Sequence, residues 1–275
     1  MLLSSSLNQL VLHGICSDEN SSHLKGAALA PPLIRESLLN GSANLTAENG
    51  ITLSNNQRFV DIGDTDIGIG VEAFMAIEDK IAAILEKKGL PLTLGGDHAI
   101  TYPIMRAIAK SYQPVTLLHF DAHPDLYEQL NGNRLSHACP FARIMEEGLV
   151  KRLVQVGIRT LNKHQKEQAD KYGVEIHEMS SFDIQKFKPE LSDPVYISFD
   201  LDALDPAFAP GVSHFEPGGL SVRDVLDIIH QIEAPIIGAD IVEYNPTNDI
   251  NGMTAMVAAK LVKEIGGMIL KTNVV

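Results

Sequence analysis

The sequence predicts an α/β protein in which helices cover both faces of a mainly parallel β-sheet. Short apolar runs alternate along the chain with longer segments whose apolar residues recur at helical spacing. Clusters rich in aspartate and histidine follow several of these runs, where an open parallel sheet places its sites. No linker-like stretch interrupts the middle of the chain, so we expect a single domain over residues 1–275.

The strands are predicted from short apolar runs, of which residues 115–120 (Val-Thr-Leu-Leu-His-Phe) and 195–199 (Val-Tyr-Ile-Ser-Phe) are examples. A strand that is covered on both faces needs such an unbroken run. We therefore expect strands at residues 10–15, 59–62, 91–94, 115–120, 153–157, 174–176, 195–199 and 236–242.

The helices are predicted from apolar spacing and from their end signals. In the segment 71–88, apolar residues recur at helical spacing up to Gly89, which ends the helix. Ser221 is the expected N-cap of the helix that follows it. The full set is expected at residues 33–39, 71–88, 102–111, 141–147, 163–172, 222–232 and 253–265, and residues 40–57 are expected to form an exposed loop.

The overall composition excludes several classes of protein. A formal net charge of −13 argues against a nucleic-acid-binding surface, which requires a basic patch. No apolar run reaches the roughly 18–20 residues of a membrane span, so we expect no membrane partner. The two cysteines do not make a disulfide framework, and residues 1–6 lack the basic start of a signal peptide. From these features we expect a cytoplasmic protein.

Three short clusters of acidic and histidine residues each follow a predicted strand. They are residues 95–98 (Gly-Gly-Asp-His), 121–125 (Asp-Ala-His-Pro-Asp) and 200–202 (Asp-Leu-Asp). Each cluster alone could be a turn or a helix cap. All three at the carboxyl ends of strands in one sheet favour a shared metal site.

The spacing within the clusters indicates which side chains would be ligands. Alternate residues of an extended chain point to the same side, so Asp121, His123 and Asp125 can face one cavity, as can Asp200 and Asp202. The candidate metal ligands are His98, Asp121, His123, Asp125, Asp200 and Asp202. Four carboxylates balance the charge of two divalent ions, and oxygen and imidazole donors suit Mn²⁺, with Fe, Co, Ni or Zn as alternatives. Two such ions would turn a shared water into a nucleophile at neutral pH.

Four further residues could belong to the same site, each with a structural alternative. Glu243 follows another strand, where its carboxylate would bind a cationic substrate, or else cap a helix or lie in a solvated loop. His137 lies in a polar loop and could transfer protons, or it is simply exposed. His119 shares the side-chain phase of the second cluster, but its place inside a strand favours a buried, hydrogen-bonded role over a ligand role. His214 lies in a loop rich in Gly and Pro, where it lines the mouth of the site or is exposed.

The chain resembles the ureohydrolases, the family of arginases, agmatinases and related hydrolases of guanidino groups. The three clusters, the sequence Asp-Leu-Asp-Ala-Leu-Asp-Pro at 200–206 and the segment around Glu243 match the family motifs in order and spacing, over about residues 10–265. The segments 132–138 and 207–219 are most similar to plant-type arginases and their bacterial relatives, a subgroup close to agmatinases.

The resemblance implies a three-layer α/β/α fold around a central, mainly parallel sheet, with a binuclear Mn²⁺ site. One ion would be held by His98, Asp121, Asp125 and Asp200, and the other by Asp121, His123, Asp200 and Asp202. The catalytic residues would be His137, Glu243 and Asp125. Glu243 would bind the guanidinium group, His137 would carry a proton to the leaving amine, and a metal-bridging hydroxide would attack the guanidinium carbon. Family members usually assemble as trimers or hexamers, so we expect a homo-oligomer whose chain is a single catalytic domain.

The substrate is left open between arginine and agmatine, with a slight preference for arginine. Donors at Asn133, Arg134 and Ser136, with His214 at the mouth of the site, could bind the carboxylate that arginine has and agmatine lacks. Glu128 in the same loop could instead bind the distal amine of agmatine. Two other classes remain: a hydrolase of a substrate such as formiminoglutamate or guanidinobutyrate, and a metal-binding homologue without activity.

Overall fold

The computed structural model describes residues 8–273, in which one parallel sheet forms the centre of the protein. The strands are β1 Gln9–Ile15, β2 Phe59–Thr65, β3 Gly89–Leu94, β4 Thr116–Phe120, β5 Arg152–Ile158, β6 Glu175–Glu178, β7 Val195–Asp200 and β8 Ile236–Val242. The helices are α1 Ala30–Leu39, α2 Gly70–Glu86, α3 Thr101–Ser111, α4 Pro140–Glu146, α5 Lys163–Tyr172, α6 Val222–His230 and α7 Met253–Thr272. Every strand and helix expected from the sequence is present; α5 and β8 have the expected bounds, and the others differ at one or both ends.

The helices form one layer on each side of the sheet. Apolar residues of α1, α6 and α7 pack in one core, and those of α2, α3, α4 and α5 pack in a second core against the other face. All strand pairs in the sheet are parallel. The predicted three-layer α/β/α fold is therefore confirmed.

The strand order brings distant parts of the sequence together. The sheet runs β2-β1-β3-β8-β7-β4-β5-β6, so the four central strands are β3, β8, β7 and β4. These are the strands after which the three clusters and Glu243 lie. Since all the strands run parallel, their carboxyl ends meet at one edge of the sheet, and the candidate residues converge there.

Helix α7 is longer than its sequence pattern predicts. It continues past residue 265 through two glycines to Thr272. The glycines allow close packing: a Cβ on Gly266 would lie 2.9 Å from Leu10, and one on Gly267 would lie 2.7 Å from Ala47. Their cost in helix propensity is offset by this close approach to β1 and to the segment 40–57.

The segment 40–57 is less exposed than expected. It contains no helix or regular strand, but Ala47 and Leu53 are buried in the core. The backbone N–H of Glu48 donates to both carboxylate oxygens of the buried Glu264, at 3.0 and 3.1 Å. This polar segment therefore packs against the rest of the protein through two buried apolar side chains, and its backbone is held by a hydrogen bond to the buried Glu264 of α7.

A loop that follows β1 covers the edge of the sheet where the candidate residues meet. The N–H of Asp97 donates to the carbonyl of Ser17 at 2.9 Å, and the N–H of Asn20 donates to the Asp97 carboxylate at 2.8 Å. Gly96 lies directly against the Ser17 backbone, where there is no space for a side chain. These contacts fix the loop beside the candidate site.

We expect Gly96→Ala to destabilise the protein by about 3 kcal/mol, because its methyl group would overlap the Ser17 carbonyl oxygen and force the backbone apart. Gly95→Ala is the matched control. The nearest neighbours of its methyl group would be side-chain atoms of the buried Ile100 and Val242 and not a backbone atom, so the loss should be smaller, about 1–2 kcal/mol. Urea unfolding followed by circular dichroism measures both losses, and equal values would contradict this account of the loop.

Candidate metal centre

The first half of the centre is built around the imidazole of His98. Its Nδ1 lies 3.1 Å from Asp121 Oδ2, 3.3 Å from Asp125 Oδ2 and 3.2 Å from Asp200 Oδ2. These side chains are buried, yet Nδ1 has no hydrogen-bond partner of acceptable geometry among residues 8–273. Donor atoms about 3 Å apart can share one ion at the usual ligand distance of about 2.1 Å. This unpartnered nitrogen among three carboxylate oxygens therefore fits a metal ion.

The second half of the centre is built around His123. Its Nδ1 lies 3.1 Å from Asp202 Oδ2 and 3.2 Å from Asp121 Oδ1. The donor atoms of Asp121, His123 and Asp202 lie within 4.8 Å of one another. Asp121 thus contributes one oxygen to each half, and the six predicted ligands form one continuous cluster.

Backbone hydrogen bonds set the direction of three of the carboxylates. Asp121 Oδ1 accepts from the N–H of His123 at 2.6 Å, Asp200 Oδ1 from Asp202 at 2.8 Å, and Asp202 Oδ1 from Ala122 at 3.0 Å. In each case the second oxygen, Oδ2, is turned toward an imidazole of the centre. The turns after β4 and β7 therefore orient the candidate ligands.

The carboxylates of the centre repel one another strongly. Burial and the neighbouring charges of Asp202 and Asp121 raise the pKa of Asp200 well above its ordinary value. Burial also raises the pKa of Asp202 to about 6, although His123 opposes the shift. Burial works against a charged His98, yet the surrounding carboxylates raise its pKa well above the usual value. Such a cluster of buried negative charge is stabilised by cations.

The far nitrogen of His98 has a fixed partner. Its Nε2 lies 2.9 Å from Ser198 Oγ, and that hydroxyl donates to Asp240 Oδ1 at 2.7 Å. Because the carboxylate can only accept, the serine oxygen is left to accept from His98 Nε2–H. One ring proton of His98 is therefore held on Nε2, which leaves Nδ1 as the nitrogen that can bind a metal ion once its own proton is lost.

Glu243 and His137 form a buried pair beside the cluster. His137 Nδ1 lies 2.9 Å from Glu243 Oε1, and His137 Nε2 lies 2.8 Å from Ser22 Oγ. Oε1 also accepts from the N–H of His98 at 2.9 Å. The other oxygen, Oε2, is buried without a hydrogen-bond partner among residues 8–273. Glu243 is therefore not a solvated loop residue: its Oε1 accepts at the start of the 3-10 helix His98–Ile100, and its Oε2 is the oxygen that remains for a ligand.

Backbone strain marks two residues of the site. Glu243 has a φ of 63° and Asp125 a φ of 48°, in the left-handed region that residues with side chains seldom adopt. Each such conformation costs about 1 kcal/mol or more and persists where neighbouring contacts impose it. With these backbone conformations, both carboxylates lie on the wall of one cavity.

A cavity of about 210 Å³ opens onto the centre. Its wall includes His123, Asp125, Asp200, Asp202, His137 and Glu243, with Ser22 and His214 also on the wall. The half-buried His214 ring lies 5.4 Å from the His137 ring and 5.6 Å from the His123 ring, measured between centroids. The structure thus favours the mouth of the site for His214 over an exposed loop.

The predicted substrate loop lies farther from the metal cluster. Arg134 Nη2 lies 2.7 Å from Glu146, and its Nη1 lies 3.5 Å from Glu128. Asn133 donates to the side chain of Asn20 at 3.2 Å, and Ser136 is buried. Among residues 8–273, the cavity wall does not include Asn133, Arg134 or Ser136. Their substrate-binding role stays a prediction.

Ser22 lies in the site, but no pattern in the sequence marks it as a site residue. It has no motif around it and lies 115 residues from its partner His137. The signal that could have found it is topological: a polar segment follows β1, and β1 is the neighbour of β3 in the sheet. That adjacency becomes visible only once the strand order is known.

A parallel three-layer fold with aspartate and histidine gathered at central strand ends defines a class of metal-dependent hydrolases. A sequence model of the arginase family matches residues 8–267. The chain belongs to the arginase family, and it is a hydrolase of amidine C–N bonds.

Named relatives and solved structures agree with this assignment. Arginase 1, mitochondrial, of Arabidopsis thaliana is 48% identical over 278 residues, which cover 94% of this chain and 81% of that protein. The structure of arginase from Medicago truncatula has a TM-score of 0.90 at 42% identity and covers 96% of this chain and 88% of that chain. The agmatine ureohydrolase of Thermoplasma volcanium has a TM-score of 0.85 at 32% identity, covering 95% and 90% respectively.

The expected cytoplasmic location is wrong. The similar arginases of Arabidopsis thaliana and Oryza sativa are named as mitochondrial or as chloroplastic/mitochondrial proteins. The low cysteine count argued only against an oxidising compartment, and it does not distinguish the cytosol from the interior of an organelle. Across residues 8–273, no helix has both the length and the apolar character needed to cross a membrane.

We expect His137 to stabilise the metal-free protein in a pH-dependent way. Burial opposes its charge, but Glu243 outweighs burial and raises the pKa of His137 to about 9. The ion pair should therefore stabilise the fold fully below pH 6.5, and its contribution should disappear as the pH rises through 9. The difference in unfolding free energy between the wild type and His137→Asn should shrink over that interval. A difference that is constant from pH 6 to pH 9.5 would contradict the pairing.

Proposed function

We propose that this protein is an arginase that hydrolyses the guanidinium group of arginine to give ornithine and urea. The observation that carries the proposal is the unpartnered Oε2 of the buried Glu243, which lies beside the metal cluster and next to His137. A planar guanidinium ion is the cation that pairs most directly with a carboxylate. Relatives named arginase, at 46–48% identity over 94% of the chain, support arginine as the substrate.

We further propose that two Mn²⁺ ions per chain occupy the centre. The donors are four carboxylates and two imidazoles without thiolate, a set that suits Mn²⁺. Two divalent ions would balance the charge of the four carboxylates. When bound, they would supply the Lewis acidity that makes water nucleophilic near neutral pH. The chain is proposed to act as a single catalytic domain within a homo-oligomer.

Glu243 would bind and orient the substrate. Its Oε1 is held by the N–H of His98 at 2.9 Å, so the side chain cannot rotate freely. Its Oε2 would then accept from the guanidinium and hold that group in the cavity whose wall also includes Asp200 and Asp202. A charge-assisted hydrogen bond in a buried site is stronger than one in water.

His137 would deliver the proton that the leaving amine needs. The adjacent Glu243 favours its charged form, so the imidazole carries a proton on each nitrogen at neutral pH. One proton is held between Nδ1 and Glu243, and the other lies on Nε2, which faces Ser22 at 2.8 Å. His137 also lies on the cavity wall, within reach of a bound guanidino group.

Agmatine remains the second candidate substrate, favoured by the similarity to the agmatine ureohydrolase structure at 32% identity. The two substrates differ only at the end far from the guanidinium. We propose that the loop with Asn133, Arg134 and Ser136, together with His214, contacts that end. Arg134 would have to leave Glu146 to reach a substrate carboxylate.

The test is urea release by the Mn²⁺-loaded protein from arginine and from agmatine, measured side by side. We expect a higher kcat/KM for arginine. Glu243→Gln keeps the shape but removes the charge, and should raise the KM for arginine by about 10- to 100-fold, since a charged hydrogen bond is worth about 1.5–3 kcal/mol.

Two outcomes of the assay would contradict the proposal. Release of urea from neither compound would favour an inactive homologue or another amidine substrate. A higher kcat/KM for agmatine would replace the arginine assignment.

In the same assay, Arg134→Ala should raise the KM for arginine and leave the KM for agmatine unchanged, because only arginine has a carboxylate for Arg134 to bind. An unchanged KM for arginine would remove Arg134 from the substrate site.

A further inference from the structure

His119 is a buried histidine of β4 that lies in direct contact with the metal cluster. Its Nε2 lies 2.9 Å from Asp121 Oδ2, and donor atoms of His98, His119 and Asp121 are close enough to hold an ion together. Geometry alone thus allows two roles for His119. It either binds a metal or orients a residue that does.

The side chain of Gln155 on β5 decides between these roles. Its Nε2 lies 2.7 Å from the carbonyl oxygen of Pro124 and 2.9 Å from His119 Nδ1. A carbonyl oxygen can only accept, so the amide nitrogen must face Pro124, since the flipped amide would bring two oxygens together. The second hydrogen of the same NH₂ group then points to His119.

The hydrogen-bond pattern fixes the tautomer of His119. Nδ1 receives a hydrogen from Gln155 and must therefore be the unprotonated nitrogen of the ring. The ring proton lies on Nε2, from which it is donated to Asp121 Oδ2 at 2.9 Å. Neither nitrogen has a lone pair left for a metal ion. The ring is also held flat against Phe141, with the two centroids 3.8 Å apart.

We propose that His119 is a positioning residue, locked by Gln155 as the Nε2–H tautomer, that orients the carboxylate of Asp121 between the two metal sites. Asp121 Oδ1 is fixed from the other side by the N–H of His123 at 2.6 Å. Both oxygens of the shared ligand therefore carry one fixed donor each. The inference rests on the metal-binding role proposed for Asp121. Partners of this kind typically change metal affinity by about 10- to 100-fold.

The first test reads the tautomer in the wild-type protein. In full-length protein with ¹⁵N-labelled histidine, loaded with diamagnetic Zn²⁺, we expect His119 to show a protonated Nε2 and an unprotonated, metal-free Nδ1. A proton on Nδ1, or the ¹⁵N shift of a nitrogen bound directly to Zn²⁺, would overturn the proposal. This measurement needs no variant and does not depend on turnover.

The second test compares two substitutions by Mn²⁺ calorimetry. His119→Gln keeps an N–H donor for Asp121 and an acceptor for Gln155, so its affinity should stay within about threefold of the wild type. His119→Phe keeps the ring and its stacking on Phe141 but removes both nitrogens, and should weaken the binding of Mn²⁺ by about 10- to 100-fold. Thermal unfolding of both metal-free variants checks that they fold.

The outcomes of the second test separate the two proposals. Equal losses of affinity in both variants, or no loss in His119→Phe, would overturn the positioning role and leave the metal centre intact. A wild type that binds no Mn²⁺ would overturn the proposed metal centre and this inference with it.

Discussion

Four aspartates crowd the buried ends of two adjacent strands, β4 and β7, and their mutual repulsion is the constraint on which the rest of the structure depends. An unpaired buried charge is costly, so the arrangement persists only if cations or protons offset it. Backbone N–H groups bind one oxygen of three of these aspartates and turn the other oxygen inward. The fold therefore forms a site that favours a positively charged ligand.

Hydrogen bonds around the cluster determine which nitrogen of His98 and which nitrogen of His119 carries a proton. Asp240 acts through Ser198 to keep the proton of His98 on Nε2. Gln155 does the same for His119, which in turn binds the shared carboxylate of Asp121. Each series of hydrogen bonds begins at a group that can only accept, the carboxylate of Asp240 or the carbonyl of Pro124. That acceptor determines which atom donates in each of the hydrogen bonds that follow. The orientation of the candidate ligands therefore depends on residues that are not ligands themselves.

The sequence predicted the centre better than its surroundings, for physical reasons. Strands covered on both faces need unbroken apolar runs, so the strands and the ends where the candidate ligands lie could be predicted. The extended spacing expected for Asp121, His123 and Asp125 was wrong, because these residues lie in a bend after the end of β4, in which Asp125 has a φ of 48°. Ser22 reaches His137 through strand order, which no local pattern encodes. The continuation of α7 through Gly266 depends on what packs against it. Substrate choice between arginine and agmatine depends on loops, whose conformations follow from contacts such as the one between Arg134 and Glu146.

If the cluster is a paired metal site that shares Asp121, diffraction will show it. An anomalous difference map from crystals grown with Mn²⁺, recorded on both sides of the manganese absorption edge, counts and places the ions. We expect two peaks per chain, about 3.5–4 Å apart, one near His98 and one near His123 with Asp121 between them. A single peak, or a peak bound to His119, would contradict this expectation.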